Sequence, residues 1–150
     1  MNAEVVQVRG ITFIGKAGSG HWALMDGSSK FLGSEGASSP KELVLIGLGG
    51  CTASDVGSIL HKMRENVERF ELYLDADTET EHPKAFTKIH ITYKFWGNGL
   101  KKENIEKAIS LSLDKDCSVS AMLKKSVPIT YSYKINPESK NGPEENRTTP

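Results

Sequence analysis

Two stretches of strict alternation stand in the middle of the chain. Phe70, Leu72, Leu74 and Ala76 alternate with Glu71, Tyr73, Asp75 and Asp77, and Ile89, Ile91, Tyr93 and Phe95 alternate with His90, Thr92 and Lys94. A period of two puts one set of side chains on a buried face and the other in water, which predicts two strands of an antiparallel sheet. Glu81-His82-Pro83 marks the turn between them, and Asn98-Gly99 ends the second. Ile129, Tyr131, Tyr133 and Ile135 predict a last strand of the same kind. Near the N-terminus, Val5 to Val8, Ile11 to Ile14 and His21 to Met25 are β-rich, with Gly18-Ser19-Gly20 as a turn and Asp26-Gly27 as a stop. That order predicts a hairpin or meander. Gly33 to Ser39 reads as a loop of small residues.

The pattern changes at Ser39-Pro40-Lys41-Glu42. Ser39 suits an N-cap, Pro40 suits the first helical position because its missing N–H would be unpaired there anyway, and Glu42 completes a capping box. A helix is predicted from here to about Arg64. Its first half, Leu43 to Cys51, is apolar all round, which predicts burial on every side, within a core or between subunits. Its second half is amphipathic, with Val56, Ile59, Leu60 and Met63 on one stripe. Gly47, Gly49 and Gly50 cost about 1 kcal/mol each relative to Ala inside a helix, so close approach of another backbone is expected there. Lys102 to Leu113 predicts a second helix with Ile105, Ala108 and Ile109 inward, and Ser118 to Lys125 a short third. Together these elements predict an α+β fold occupying residues 1–135. Residues 136–150 hold Pro, Glu, Asn and Thr without an apolar side chain, which predicts a disordered tail.

Composition narrows the function classes. The chain has 150 residues, 19 basic and 19 acidic, for a net charge of +0. That size suits one domain with its own core, and the balance of charge points to neither nucleic acid nor an anionic membrane as partner. No stretch approaches the roughly 20 consecutive apolar residues of a membrane span. The N-terminus has no basic region followed by an apolar run, so no secretion signal is expected and a cytoplasmic location is. His21, His61, His82 and His90 show no ligand spacing and no CxxC accompanies them, so neither a metal nor a cofactor is expected. Gly18-Ser19-Gly20 lacks the Gly-Lys-Ser/Thr of a phosphate loop. Trp22 and Trp96 suit either core packing or an apolar pocket.

Cys51 and Cys117 hold the chemistry. They lie 66 positions apart in apolar, Gly/Ser-rich segments, so only the fold can bring them together. In a compartment that keeps thiols reduced, a transient or catalytic disulfide is the expected use of such a pair, against the alternative of two small buried core residues. Cys51 lies too deep in its helix for the N-terminal dipole, and burial alone makes a thiol inert, so its reactivity needs a partner from elsewhere. Cys117 stands at a helix start, which favours a thiolate. On these grounds either could be the nucleophile.

The segment from Ser39 through Gly49-Gly50-Cys51-Thr52 to Asp55-Val56, with Asp116-Cys117-Ser118-Val119 downstream, resembles the OsmC/Ohr family of osmotically induced and organic-hydroperoxide-resistance proteins. The order of elements is also similar over residues 10 to 135, and Gly-Gly-Cys-Thr followed by Asp55-Val56 is most similar to the YhfA-like branch. The resemblance implies an intertwined homodimer, with antiparallel sheets wrapped around two central Cys-bearing helices. It implies thiol-dependent reduction of organic hydroperoxides. Cys51 would attack the peroxide, Cys117 would resolve the sulfenic acid to a disulfide, and an external dithiol would reopen it. The peroxidase branches carry a Glu directly after the Pro of this motif, which helps hold an activating Arg. Here that position is Lys41 and the acid is Glu42, which serves either as that catalytic support or as the capping-box acid. Arg9, Lys16 and His21 are the candidate cations from the N-terminal strands. The alternatives on the same dimeric scaffold are a ligand-binding stress protein with passive thiols and a redox sensor.

Overall fold

The computed structural model describes residues 1–138. The chain forms two compact units, residues 1–50 and residues from 51 onward. In the first, β1 (Ala3–Arg9), β2 (Thr12–Ala17) and β3 (Trp22–Met25) form an antiparallel meander in that order. Val6 lies opposite Ile14, and Ile14 opposite Leu24. These are the strands that the β-rich runs predict, with Gly20 taking the left-handed φ of 77° that the turn requires.

The loop of small residues after β3 is organised by one buried carboxylate. Asp26, 1% exposed, accepts the Ser34 hydroxyl (2.5 Å) and the backbone N–H groups of Ser34, Gly36 and Gly27, and the Thr12 hydroxyl approaches at 3.1 Å. Gly33 fits where no side chain could, because a Cβ there would stand 2.0 Å from the Gly27 carbonyl oxygen. The donors, led by the Ser34 hydroxyl, hold the Asp26 carboxyl far below the usual carboxylate range. A depressed folded pKa means stability that is fully present above the ordinary value near pH 4 and is lost as pH falls towards the folded value. Asp26→Asn should therefore melt lower than wild type at pH 7, with the gap narrowing steadily from about pH 4 downward. An equal gap in thermal melts at pH 7 and pH 3 would refute the role given to this carboxylate.

α1 spans Pro40–Lys62, ending two residues before the predicted limit. Arg64 takes a φ of 59°, its N–H bonds the His61 carbonyl, and the Glu65 N–H bonds that of Leu60, both at 3.0 Å. This left-handed stop satisfies two carbonyls that would otherwise lack partners. Two expectations for α1 change. The apolar first half is not buried on every side in one chain: Leu48 is buried, but Val44 and Ile46 are 43% and 57% exposed. Outside its chain neighbours and the helix's own backbone, a Cβ built on Gly47 or Gly50 would meet no atom within 4 Å among the described residues, so no backbone from another element closes on these two glycines there. α1 also has the length and the mean hydropathy (1.6) to cross a membrane, contrary to the reading that no stretch approaches such a span. Its Leu, Ile and Val content accounts for that average, while Thr52, Val56 and Leu60 are buried within the protein.

In the second unit, β4 (Arg69–Thr78) pairs antiparallel with β5 (Phe86–Trp96), Leu74 opposite Ile91. On β5 the burial alternates as the sequence predicts: Ile89, Ile91, Tyr93 and Phe95 are fully buried. Phe70, Tyr93 and Phe95 stack with interplanar angles of 2–9°. β6 (Ile129–Ile135) joins the other edge of β5 in parallel, Ile91 beside Tyr131. The sheet is thus mixed rather than antiparallel throughout, because the chain returns through a helical crossover and a crossover delivers a parallel strand. That crossover comprises α2 (Lys102–Leu111), a π-helical turn (Ser112–Asp116) and α3 (Ser118–Leu123). Ile105, Ala108 and Ile109 are buried as predicted, and the helix predicted to Leu113 gives way to the π turn at Ser112. After β6, Asn136 exchanges two 3.0 Å bonds with the Gly97 backbone, and the Trp96 indole donates to the Pro137 carbonyl at 3.1 Å. Asn136 and Pro137, at the start of the predicted tail, are thus bonded to the end of β5, and residues 139–150 lie outside the described residues.

Candidate functional site

Cys51 and Asp55 are four residues apart on α1 and so share one helix face. The π turn supplies the opposing wall. Its extra residue carries the Cys117 N–H to the Ser112 carbonyl at 2.8 Å and sets Cys117 as N-cap of α3, where its sulfur accepts the Ser120 N–H at 3.3 Å. Six residues are too few for a stable isolated helix. Lys124 holds α3 in place by donating to the Leu113 carbonyl (2.8 Å) and pairing with Asp114 (2.9 Å). The outcome is that the two sulfurs and an Asp55 oxygen all lie within 4.8 Å of one another. Both cysteines are free thiols, Cys51 half-buried and Cys117 buried at 2% exposure.

The environment separates the two thiols. Burial, reinforced by the neighbouring Cys51 and by the charge of Asp55, pushes the Cys117 thiol up to about 11, against the opposing pull of the Ser120 N–H. The helix start favours a thiolate at Cys117, and burial works against it. A chain of buried hydroxyls runs behind the pair. Tyr93 Oη lies 2.8 Å from Thr52 Oγ1, Thr52 Oγ1 lies 2.9 Å from Ser112 Oγ, and Ser112 Oγ donates to Asp55 Oδ2 at 3.4 Å. An ionised carboxylate only accepts, so the chain of donation runs from Tyr93 towards Asp55. Burial pushes the Tyr93 phenol up to about 12, in keeping with a phenol that keeps its proton and donates it.

The other predicted residues have their own surroundings. Glu42 accepts the Ser39 N–H at 2.6 Å while its own N–H meets the Ser39 hydroxyl at 3.3 Å, a complete capping box. That backbone bond is the main cause lowering the Glu42 pKa. Lys16 pairs with Glu4 at 3.1 Å and lies over the Trp22 ring at 4.4 Å. Arg9 and His21 are exposed. His90 bonds Thr130 and Ser132 across the β5–β6 ladder at 2.8 and 2.9 Å. Trp96 stacks with Arg69 at the end of its sheet. A shallow cavity of about 360 Å³ in the first unit is lined by Asp26, Glu35, Glu42 and small residues. Its carboxylates already accept internal bonds from Ser34, Ser29 and Ser39, which leaves it little to offer a ligand.

Sequence reasoning missed Asp55, Thr52, Ser112 and Tyr93 as parts of the site. The spacing Cys51-x-x-x-Asp55 was a signal for the first of these, since it places both on one helix face. Nothing in the sequence joins Thr52, Tyr93 and Ser112, which the sheet and the π turn bring together from 41 and 60 positions away.

A family model described as OsmC-like protein matches residues 33–132, a span that includes both cysteines. Protein YhfA of Escherichia coli K12 is 44% identical over 135 residues, which is 90% of this chain and 98% of that protein. A hypothetical protein from Aquifex aeolicus VF5 has a crystal structure that superposes with a TM-score of 0.75 at 30% identity, over 91% of this chain and 97% of that one. An organic hydroperoxide resistance protein from Elizabethkingia anophelis superposes with a TM-score of 0.62 at 14% identity, covering 88% and 94%, a likeness of fold alone. With the cysteine-bearing elements, the two sheets and these relatives in agreement, the chain belongs to the OsmC-like protein family.

Proposed function

We propose that the protein is a cysteine-based peroxidase acting on organic hydroperoxides. The observation that carries this reading is the pair of free thiols beside Asp55, one half-buried and one buried, all within 4.8 Å. The Cys51 thiolate attacks the distal peroxide oxygen, the O–O bond breaks, and the departing alkoxide takes a proton to leave as alcohol. Cys51 is then a sulfenic acid. The Cys117 sulfur displaces its hydroxyl as water, with loss of the Cys117 proton, and the disulfide forms. An external dithiol reduces that disulfide by thiol exchange and is itself oxidised to a disulfide. Glu42 acts at a distance, by capping the helix that presents Cys51.

The working unit is a homodimer in the cytoplasm, where dithiol reductants are available. Exposed apolar side chains support it: Val44 and Ile46 on the first half of α1, and Val5 and Val8 on β1, at 60% and 58%. Incubation with an alkyl hydroperoxide and excess dithiol should give many turnovers per chain, from a species that sediments as a dimer. One stoichiometric oxidation without turnover would identify a sensor. No loss of thiols would identify a binding protein.

A further inference from the structure

Cys51, Asp55 and Cys117 are the one group of three His, Cys, Asp or Glu side chains among the described residues whose ligand atoms converge. We infer that these three residues form a binding site for a soft divalent ion of the zinc type, with the fourth tetrahedral position open to water or a small ligand. The inference stands apart from peroxide chemistry. The histidine spacing gave no reason to expect a metal, and the donors come instead from one helix face and one helix N-cap.

The geometry is close to what the ion requires. Bonds of about 2.0–2.3 Å at tetrahedral angles separate ligand atoms by roughly 3.5–3.8 Å, so the present cluster closes with side-chain shifts of about 1 Å. Cys51 and Asp55 are half-buried, which leaves a path from solvent. Two sulfurs and one oxygen select zinc, cobalt or cadmium over magnesium or calcium, which take oxygen ligands. Binding displaces one proton from each thiol. The resulting three negative charges offset a dication. The supporting bonds are also in place. The Ser112 hydroxyl bonds one Asp55 oxygen and leaves the other to the metal, and the Ser120 N–H orients the Cys117 sulfur.

Cobalt(II) added to the reduced full-length protein under anaerobic conditions is a direct probe. One equivalent should bind with an intense thiolate-to-cobalt charge-transfer band, and zinc(II) should displace it. Cys51→Ser and Cys117→Ser should each lose much of the band, Asp55→Asn should bind more weakly, and Ser112→Ala should weaken zinc by about 10–100-fold. Asp75→Asn, on the wet face of β4, should bind as wild type. No band with wild type, or binding unchanged in both cysteine variants or in Asp55→Asn, overturns the inference. Should a variant fail to fold by circular dichroism, wild type alone still decides. Zinc(II) must slow alkylation of Cys51 where magnesium(II) does not, and equal rates reject the site.

Discussion

Cys51→Ser should consume no peroxide, whereas Cys117→Ser should consume about one equivalent and stop at a sulfenic acid that dimedone traps. The difference follows from accessibility and ionisation. Cys51 is half-buried and can meet a small oxidant, while Cys117 is 2% exposed behind the π turn. Burial pushes the Cys117 thiol up to about 11, which disfavours the thiolate that acts as nucleophile. Cys117 is therefore suited to second place, where the sulfenic acid is already within reach and the attack is intramolecular. In Cys117→Ser no partner closes the disulfide, so oxidation halts one step in. Peroxide consumption and dimedone labelling measured by mass spectrometry read both outcomes. Inertness of Cys117→Ser with a trapped sulfenate in Cys51→Ser would reverse the assignment. Equal thiol loss in both variants would remove it.

The second large effect is on stability. Tyr93→Ala should lower the free energy of unfolding by about 3–5 kcal/mol, the usual consequence of deleting a buried aromatic ring, out of a total on the order of 5–15 kcal/mol. Tyr93 sits fully buried on the central strand, stacked with Phe70 and Phe95 and edge-on to Tyr131. Its hydroxyl is also one end of the chain through Thr52 and Ser112. Tyr93→Phe keeps the ring and removes one hydrogen bond, and Thr52 retains Ser112 as a partner. That variant should lose only about 1 kcal/mol. Urea midpoints compare the two directly. Similar midpoints for Ala and Phe would mean that the ring packing contributes far less than its burial implies.

How much of this was legible in the sequence depends on the length scale. Alternation marked β4 and β5, because a face is set by period two alone; it named the buried residues of β5, while Phe70, Leu72, Leu74 and Ala76 of β4 are only half-buried. Ser39-Pro40-x-Glu42 marked the start of α1, because a capping box is a local event. The direction of β6 was not legible, since the same alternation suits parallel and antiparallel pairing, and direction comes from the crossover. The burial of Cys117 was not legible for a related reason. Its place at a helix start is local, but the burial that works against it depends on the whole unit. Thr52, Ser112 and Asp55 were invisible as a group because single hydroxyls and carboxylates have no pattern until the chain is folded.

The parallel pairing of β5 with β6 has a consequence for the order of folding. Ile89 meets Ile129, so a loop of 40 residues closes when β6 docks, and Cys117 lies inside that loop. Long loops close at an entropic cost and slowly compared with hairpins. The hairpin of β4 and β5 can form early, whereas the crossover that carries Cys117 is closed into the sheet when the last strand docks. The pairing of the thiols is thus expected to come late in folding, after the hairpin.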